Sequence, residues 1–290
     1  MNKKNSKQLI FLSIIIFSIG IYKVIPSIEN YFKPTNNEVI TDGSLLSVHY
    51  LDVGQGDSEF IELPNGENIL IDAGEAEYGD TVSKYISSLG YSEINYLIGT
   101  HPHADHIGGL STVINNFKID SIYMPKAVTT TTIYENLLDT IANKGLSINT
   151  GKSGVSLIDT ADLSVNMIAP NSSVYDDLNQ YSIVLMIRYK NNKFLFMGDA
   201  GTVSEGEITS DVSANVIKVG HHGSSTASSA SFVKKVSPEY AIIEVGANNT
   251  YNLPKETIIK RWESVGAKVL RTDESGNITI ISDGNNIEVK

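Results

Sequence analysis

The apolar pattern opens with an uncharged run of fifteen residues, Gln8 to Tyr22, set between Lys3, Lys4 and Lys7 on one side and Lys23 on the other. A basic start followed by an apolar stretch has the form of an export signal. The run is shorter than the roughly 20 residues that cross a bilayer. Val24, Ile25 and the snorkelling stem of Lys23 lengthen it. No small-x-small cleavage site follows. Residues 1–26 are therefore expected to form a single N-terminal hydrophobic helix, an uncleaved signal anchor, with a cleaved signal peptide as the alternative. The lysines ahead of the run stay in the cytoplasm. The rest of the chain is then expected outside the cell, on a single-pass membrane anchor, or secreted if the signal is removed. Residues 27–43 are polar, Asn-rich and interrupted by Pro34, and read as a linker.

From residue 44 the period changes. LLSVHYLDV (45–53) and DSEFIELP (57–64) alternate as strands, Pro64-Asn65-Gly66 is a hairpin turn, and NILIDAG (68–74) is the return strand. Val82, Tyr85, Ile86 and Leu89 mark one face of a helix over 81–89, with Gly90 as its stop. INYLIGT (94–100) is almost continuously apolar, which predicts a strand buried on both faces. A helix is expected over 107–117, a strand at 121–125, and a helix carrying Ile133, Leu137, Leu138 and Ile141 up to Gly145. Strands follow at 162–170, 181–190, 193–199 and 215–220, then a helix at 228–236, a strand at 240–245, a helix at 255–265 and three short terminal strands. Hairpins embedded among alternating strands and helices make much of the sheet antiparallel. The expected architecture is α/β (α+β): two mixed sheets face to face with helices outside, a four-layer αββα sandwich over residues 44–290.

Composition narrows the chemistry. Of 290 residues, 41% are apolar and 19% charged, too apolar and too weakly charged for a disordered chain. The absence of cysteine excludes disulfides, thiolate-ligated zinc, iron–sulfur clusters and a thiol nucleophile. The net charge is −11; five of the 22 basic and three of the 33 acidic residues precede residue 44, so the remainder carries −13. That argues against holding nucleic acid through a broad basic face. Positive charge at an active site would have to be local, as a metal ion is.

Five of the six histidines fall in two short segments, Thr100-His101-Pro102-His103-Ala104-Asp105-His106 and Gly220-His221-His222-Gly223. Each follows an apolar strand, and strand ends in mixed sheets are where ligands collect. Imidazole and carboxylate donors suit zinc, manganese or iron. Three imidazoles and a carboxylate within six residues are too many for one ion held by so short a loop, and two adjacent ions divide them. Asp199, after the strand KFLFM, is placed to bridge a pair of ions about 3.5–4 Å apart. His49 lies inside a strand and reads as structural.

Leu70-Ile71-Asp72-Ala73-Gly74, the hexad at 101–106, Gly198-Asp199 and the later histidines resemble the metallo-β-lactamase superfamily. Leu51-Asp52-Val53-Gly54-Gln55-Gly56-Asp57-Ser58, HPHADHIGGL, KVGHHGS and Thr272-Asp273 with Gly276 and Ile278 resemble one branch of it, the hydrolase domain of the ComEC competence proteins and their stand-alone relatives. The likeness covers about residues 44–283.

The resemblance implies an exported or membrane-anchored hydrolase with two divalent metal ions, zinc or manganese, and a metal-bound hydroxide as nucleophile. It implies that His101 and His103 hold one ion, that Asp105 and His106 hold the other, and that Asp199 bridges. One histidine of the later pair, His221 being nearer the strand end, completes the second ion, leaving His222 as a further ligand or substrate contact. Asp105 and Asp199 would be the catalytic carboxylates. Asp72 would orient the hexad from behind, with Gln55 and Asp57 at the rim. The superfamily histidine ahead of the bridging Asp is missing, and Asn179, Ser182 or water would fill its place. Leu253, in Asn249-Thr250-Tyr251-Asn252-Leu253-Pro254, stands where the branch has histidine. Ser224, Ser225, Asn249 and Tyr251 are candidate substrate contacts. The implied substrate is a phosphodiester, nucleic acid foremost. The alternatives are a small ester, lactam or phosphorylated metabolite, or a non-catalytic subunit that binds nucleic acid or a partner.

Overall fold

The structure, a computed structural model, describes residues 45–290, so the expected helix at 1–26 and the linker at 27–43 lie outside the described residues. The described residues belong to one unit, Thr41–Lys290. They form two sheets. The first is built from β1 (Leu46–Tyr50), β2 (Glu59–Glu62), β3 (Asn68–Ile71), β4 (Glu93–Ile98), β5 (Lys118–Met124), β6 (Ile148–Thr150), β14 (Ile278–Ser282) and β15 (Ile287–Val289), in the order β15-β14-β1-β2-β3-β4-β5-β6. The second takes β7 (Ser156–Asp159), β8 (Leu163–Ala169), β9 (Val184–Tyr189), β10 (Asn192–Phe196), β11 (Val216–Lys218), β12 (Tyr240–Ile243) and β13 (Lys268–Arg271), in the order β13-β12-β11-β10-β9-β8-β7.

Period-two alternation assigns each strand's two faces to two cores. In β10, Phe194 and Phe196 point into the core between the sheets, while Leu195 and the following Met197 point to a helix layer. In β3, Ile69 and Ile71 face the sheet–sheet core and Leu70 faces the other helix layer. Helices α1 (Gly79–Ser88), α3 (Leu110–Asn116) and α4 (Thr132–Asn143) cover the first sheet through Val82, Ile86, Leu110, Val113, Leu137 and Ile141. Helices α6 (Ala230–Val236) and α7 (Glu256–Glu263) cover the second through Phe232, Val233, Ile258 and Trp262. Each such side chain contributes about 1.5–3 kcal/mol when fully buried. Three apolar layers between four structural layers make the mixed α/β sandwich.

Both sheets combine hairpins with a parallel segment. β1, β2 and β3 pair antiparallel; β3, β4, β5 and β6 run parallel. β10, β11, β12 and β13 are parallel in the second sheet. The site residues emerge from the C-terminal ends of these parallel strands.

Three differences from the pattern are local. The helix expected over 107–117 is two, α2 (Ala104–Ile107) and α3, broken at Gly108 and Gly109; a Cβ on either would stand 2.5 or 2.3 Å from backbone oxygens of Ala104 and Ala73. Strands β6 and β7 are short and largely exposed, and α5 (Thr202–Glu207) spans under two turns, so none carries a long periodic signal. No helix among the described residues is long and apolar enough to cross a membrane.

Candidate metal centre

Four strand ends deliver the site. Asp72 follows β3, Thr100 and His101 follow β4, Asp199 follows β10, and Gly220–Gly223 follow β11. Asp105 and His106 lie on α2, so one helical turn sets them beside the strand end that carries His101.

Asp72 ties the hexad together. It is fully buried. Its Oδ1 accepts from the Thr100 amide at 2.8 Å, and its Oδ2 accepts from Thr100 Oγ1 at 2.6 Å and from His106 Nδ1 at 2.8 Å. With the proton of His106 held at Nδ1, its Nε2 lone pair faces the cluster. His101 Nδ1 meets Thr100 Oγ1 at 3.1 Å and Ser182 Oγ at 3.3 Å, leaving Nε2 inward, 3.0 Å from His103 Nδ1. His222 Nδ1 bonds the Glu244 carbonyl at 3.0 Å and stands 3.1 Å from Asp57 Oδ1, so its Nε2 also points inward.

Asp199 divides the ring of donors. Its Oδ1 lies 3.4 Å from His106 Nε2 and 3.5 Å from His222 Nε2. Its Oδ2 lies 3.8 Å from His101 Nε2 and 3.6 Å from His221 Nε2. Asp105 Oδ2 joins the first half, 3.8 Å from His106 Nε2 and 3.4 Å from His222 Nε2. His106 Nε2, His222 Nε2 and Asp199 Oδ1 are buried with no hydrogen-bond partner. Convergent buried lone pairs with no donor are what a cation satisfies, and imidazole with carboxylate suits a divalent ion of the zinc or manganese type. The chain's residues fit such ions.

The electrostatics say the same. Burial opposes charge on His222, yet Asp199 and Asp57 raise it to about 10. Burial likewise opposes charge on His106, and Asp199 and Asp105 push it well above the usual histidine range. His101, buried and beside His106, falls well below that range. The carboxylates thus demand positive charge on the side of His106 and His222.

Two placements differ from the expected ones, His221 and Asp57, and the other candidate residues take the following positions. The imidazole beside Asp105 and His106 is that of His222, whereas His221 Nε2, expected there, lies beside Asp199 Oδ2. His221 and His222 both take left-handed backbone angles (φ 52° and 49°), which turns the second imidazole inward and leaves the first on the side of His101, its Nδ1 at 2.8 Å from Thr226 Oγ1. Asp57 is not at a rim: it is fully buried and ion-paired with the equally buried Lys218. Asn249 spends both amide protons on Gly246 O and Leu253 O and accepts from the Leu253 amide, so it shapes its loop. Tyr251 is 65% exposed. Ser224 Oγ contacts Thr226 Oγ1, and Gln55 Oε1 accepts from the Gly246 amide. Ser182 supports His101 and accepts from the Asp199 amide at 3.1 Å. Asn179 Oδ1 is buried and unpartnered. His49 lies in β1, bonded through Nε2 to Glu62 Oε1 at 2.9 Å.

The sequence reading missed a charged group behind the centre. Lys218 sits with Asp57, Glu59 and Glu244, whose carboxylate oxygens lie within 4.8 Å of one another. Burial, then the charge of Asp57, lifts Glu59 to about 8, and burial and Glu59 lift Glu244 well above the usual carboxylate range. The signal was present as Lys and Glu inside apolar strands, VIK and YAIIE.

A family model described as Metallo-beta-lactamase superfamily matches residues 51–246. ComE operon protein 3 of Bacillus subtilis is 28% identical over 251 aligned residues, covering 80% of this chain and 32% of that protein. Competence protein ComA of Neisseria gonorrhoeae is 29% identical over 230, covering 78% and 30%, and Recombination protein 2 of Haemophilus influenzae 27% over 239, covering 80% and 28%. The chain thus spans about a third of the length of these relatives. Among solved structures, the metallo-beta-lactamase fold protein YhfI of Bacillus subtilis aligns with a TM-score of 0.52 at 11% identity, covering 82% of this chain and 99% of that one. CmlA, a diiron beta-hydroxylase from Streptomyces venezuelae, aligns at 0.54 and 13%, covering 81% and 53%. At these identities the likeness to the two structures is one of fold.

Proposed function

The chain belongs to the metallo-beta-lactamase superfamily and is a metal-dependent hydrolase, and from that premise we propose that it cleaves phosphodiesters, nucleic-acid strands foremost, at two divalent ions, zinc or manganese. The observation that carries the reading is the division of Asp199: one carboxylate oxygen faces His106 and His222, the other His101 and His221. Such a carboxylate could serve two ions. Asp105, His106 and His222 would hold one, and His101, His103 and His221 would hold the other, with His221 in the place of the histidine absent before Asp199.

Bound divalent ions supply Lewis acidity and bring the pKa of a water towards ~7. The chain supplies the rest. Asp105, 27% exposed at the side chain while His106 and His222 are sealed, accepts a hydrogen bond from the attacking water and orients it. Asp72 and Asp57 hold His106 and His222 in register. The names of the relatives, competence and recombination proteins, support a nucleic-acid substrate. The apolar segment within residues 1–26 supports an anchored domain outside the cell.

The test is hydrolysis of labelled single- and double-stranded DNA by the purified full chain with Mn(II) or Zn(II). Asp105→Ala and Asp199→Ala are expected to lose about 100-fold or more of the activity. Full activity in both variants would overturn the assignment.

A further inference from the structure

At the edge of the sandwich where the metal centre lies, a cavity of about 430 Å³ opens between the two sheets. Its walls come from the ends of three strands. Lys126 follows β5, Thr150 ends β6 with Lys152 just after it, and Ser172 and Ser173 follow β8. β5 and β6 run parallel to β4, which delivers His101. β8 runs parallel to β10, which delivers Asp199, because both pair antiparallel with β9. All three ends therefore reach the same edge as the metal ligands. The offset from β4 to β6 is two strand spacings, about 10 Å.

The wall nearest the centre is shared. Tyr181 lines the cavity and precedes Ser182, which supports His101. Ile183 donates its amide to Thr100 O at 3.0 Å. Gly151 lets the Lys152 loop close onto this segment, since a Cβ there would stand 2.2 Å from Ile183 Cδ1. The Tyr181 ring is fixed: it meets Tyr175 edge-on at 5.0 Å, and its hydroxyl accepts from the Tyr175 amide at 3.0 Å.

Charge and surface chemistry select the occupant. The lining holds two lysines, hydroxyls and an aromatic ring, with no carboxylate. Neither Lys126 nor Lys152 enters an ion pair among the described residues. In a domain of net charge −13, a lining with two lysines and no carboxylate is a local concentration of positive charge, and a cation at a concave site attracts anions. Val128 and Val174, the most exposed large apolar side chains among the described residues at 78% and 74%, stand on the two loops beside it. Cations that track a backbone, beside a ring on which a base stacks, are how single strands are held without sequence preference. The volume suits one nucleotide unit.

We propose that this cavity binds a phosphate and base of a single-stranded nucleic acid flanking the bond cut at the metal centre, about three stacked nucleotides away at ~3.4 Å each. The proposal rests on the phosphodiesterase reading and adds a subsite that sets strand affinity, while the chemistry stays at the ions.

The experiment uses the full chain, a fluorescein-labelled single-stranded 15-mer and the small diester bis(4-nitrophenyl) phosphate, with Mn(II). Strand binding is read by anisotropy across a salt series on Asp199→Asn, which needs no turnover. In that background Lys126→Ala/Lys152→Ala is expected to weaken strand binding about tenfold and to flatten the slope of log Kd against log salt by about 0.7, the value for one phosphate of a single strand. In the active chain the same pair raises KM for the strand with kcat unchanged and leaves the small diester untouched. Lys126→Arg/Lys152→Arg keeps wild-type binding, and Tyr181→Leu weakens it without changing the salt slope. An unchanged slope and KM, or no strand binding at all, overturns the subsite. Failure to cut either substrate, with the salt slope still responding to the lysines, overturns the phosphodiesterase reading and leaves the strand-binding site standing.

Discussion

Lys218 and Asp57 form an ion pair sealed from solvent on both sides, directly behind His222. The ammonium also donates to Val219 O at 3.2 Å. Removing one partner of a buried pair leaves the other charge uncompensated, at a cost of about 3–5 kcal/mol. Lys218→Met should therefore destabilise the fold by that order in a denaturant melt. Asp57 no longer held as an anion orients His222 less well, so metal affinity by calorimetry should fall about 10–100-fold. Pairing it with Asp57→Asn removes the stranded charge. Stability should then recover while affinity stays low. Recovery of both together would reduce the pair to a packing role.

Glu59 gives the metal-free protein a pH signature. Its carboxyl is lifted from 4.5 to about 8, first by burial and then by Asp57. The folded chain keeps a proton there that the unfolded chain releases above its ordinary pKa. Folding stability from this group is thus whole below about pH 4.5 and declines as pH rises towards 8. Glu59→Gln carries no such proton. Its melting temperature relative to wild type should rise steadily across that window in chelator. A difference independent of pH would remove the buried acid from the account.

Much of this was legible from the chain, and the gaps have physical causes. The nearly continuous apolar run INYLIGT (94–100) announced a strand buried on both faces, and Ile98 faces the core between the sheets while Ile94 and Leu97 face a helix layer. The density of donors in the hexad announced cations. Spacing did not say which of two adjacent histidines turns inward, because that depends on backbone angles of the left-handed kind at His221 and His222. Nor did it show that Asp57, set in a polar and glycine-rich segment, lies under the site. That burial requires Lys218 from a strand 161 residues away. The cationic cavity draws on three separate strand ends, with no local motif at any of them.

Gly56 should be irreplaceable for a steric reason. Its φ is 153°, and a Cβ there would stand 2.3 Å from the backbone oxygen of Asp105. The next residue, Asp57, donates its amide to that same oxygen at 3.2 Å. Gly56→Ala should push the hexad turn away and cost roughly 3 kcal/mol or more. Metal content after purification should fall with it. Gly66→Ala, with nothing within 4 Å but φ 87°, is the control for backbone strain alone and should cost about 1 kcal/mol.

The adjacent histidines give the sharpest test of the two-ion assignment. His222 Nε2 faces Asp105 and Asp199 Oδ1, and its other nitrogen is locked to Glu244 O. His221 Nε2 faces Asp199 Oδ2 only, from a side chain 24% exposed and braced on Thr226. His222→Ala should remove the ion held with Asp105 and His106, leaving one metal per chain by elemental analysis. His221→Ala leaves that ion in place and weakens the other, so its stoichiometry should fall only when free metal is lowered by dialysis. Asp199→Ala severs both halves and should leave little bound metal at any ordinary concentration. Two ions retained in His222→Ala, with loss in His221→Ala instead, would reverse the roles of the two imidazoles.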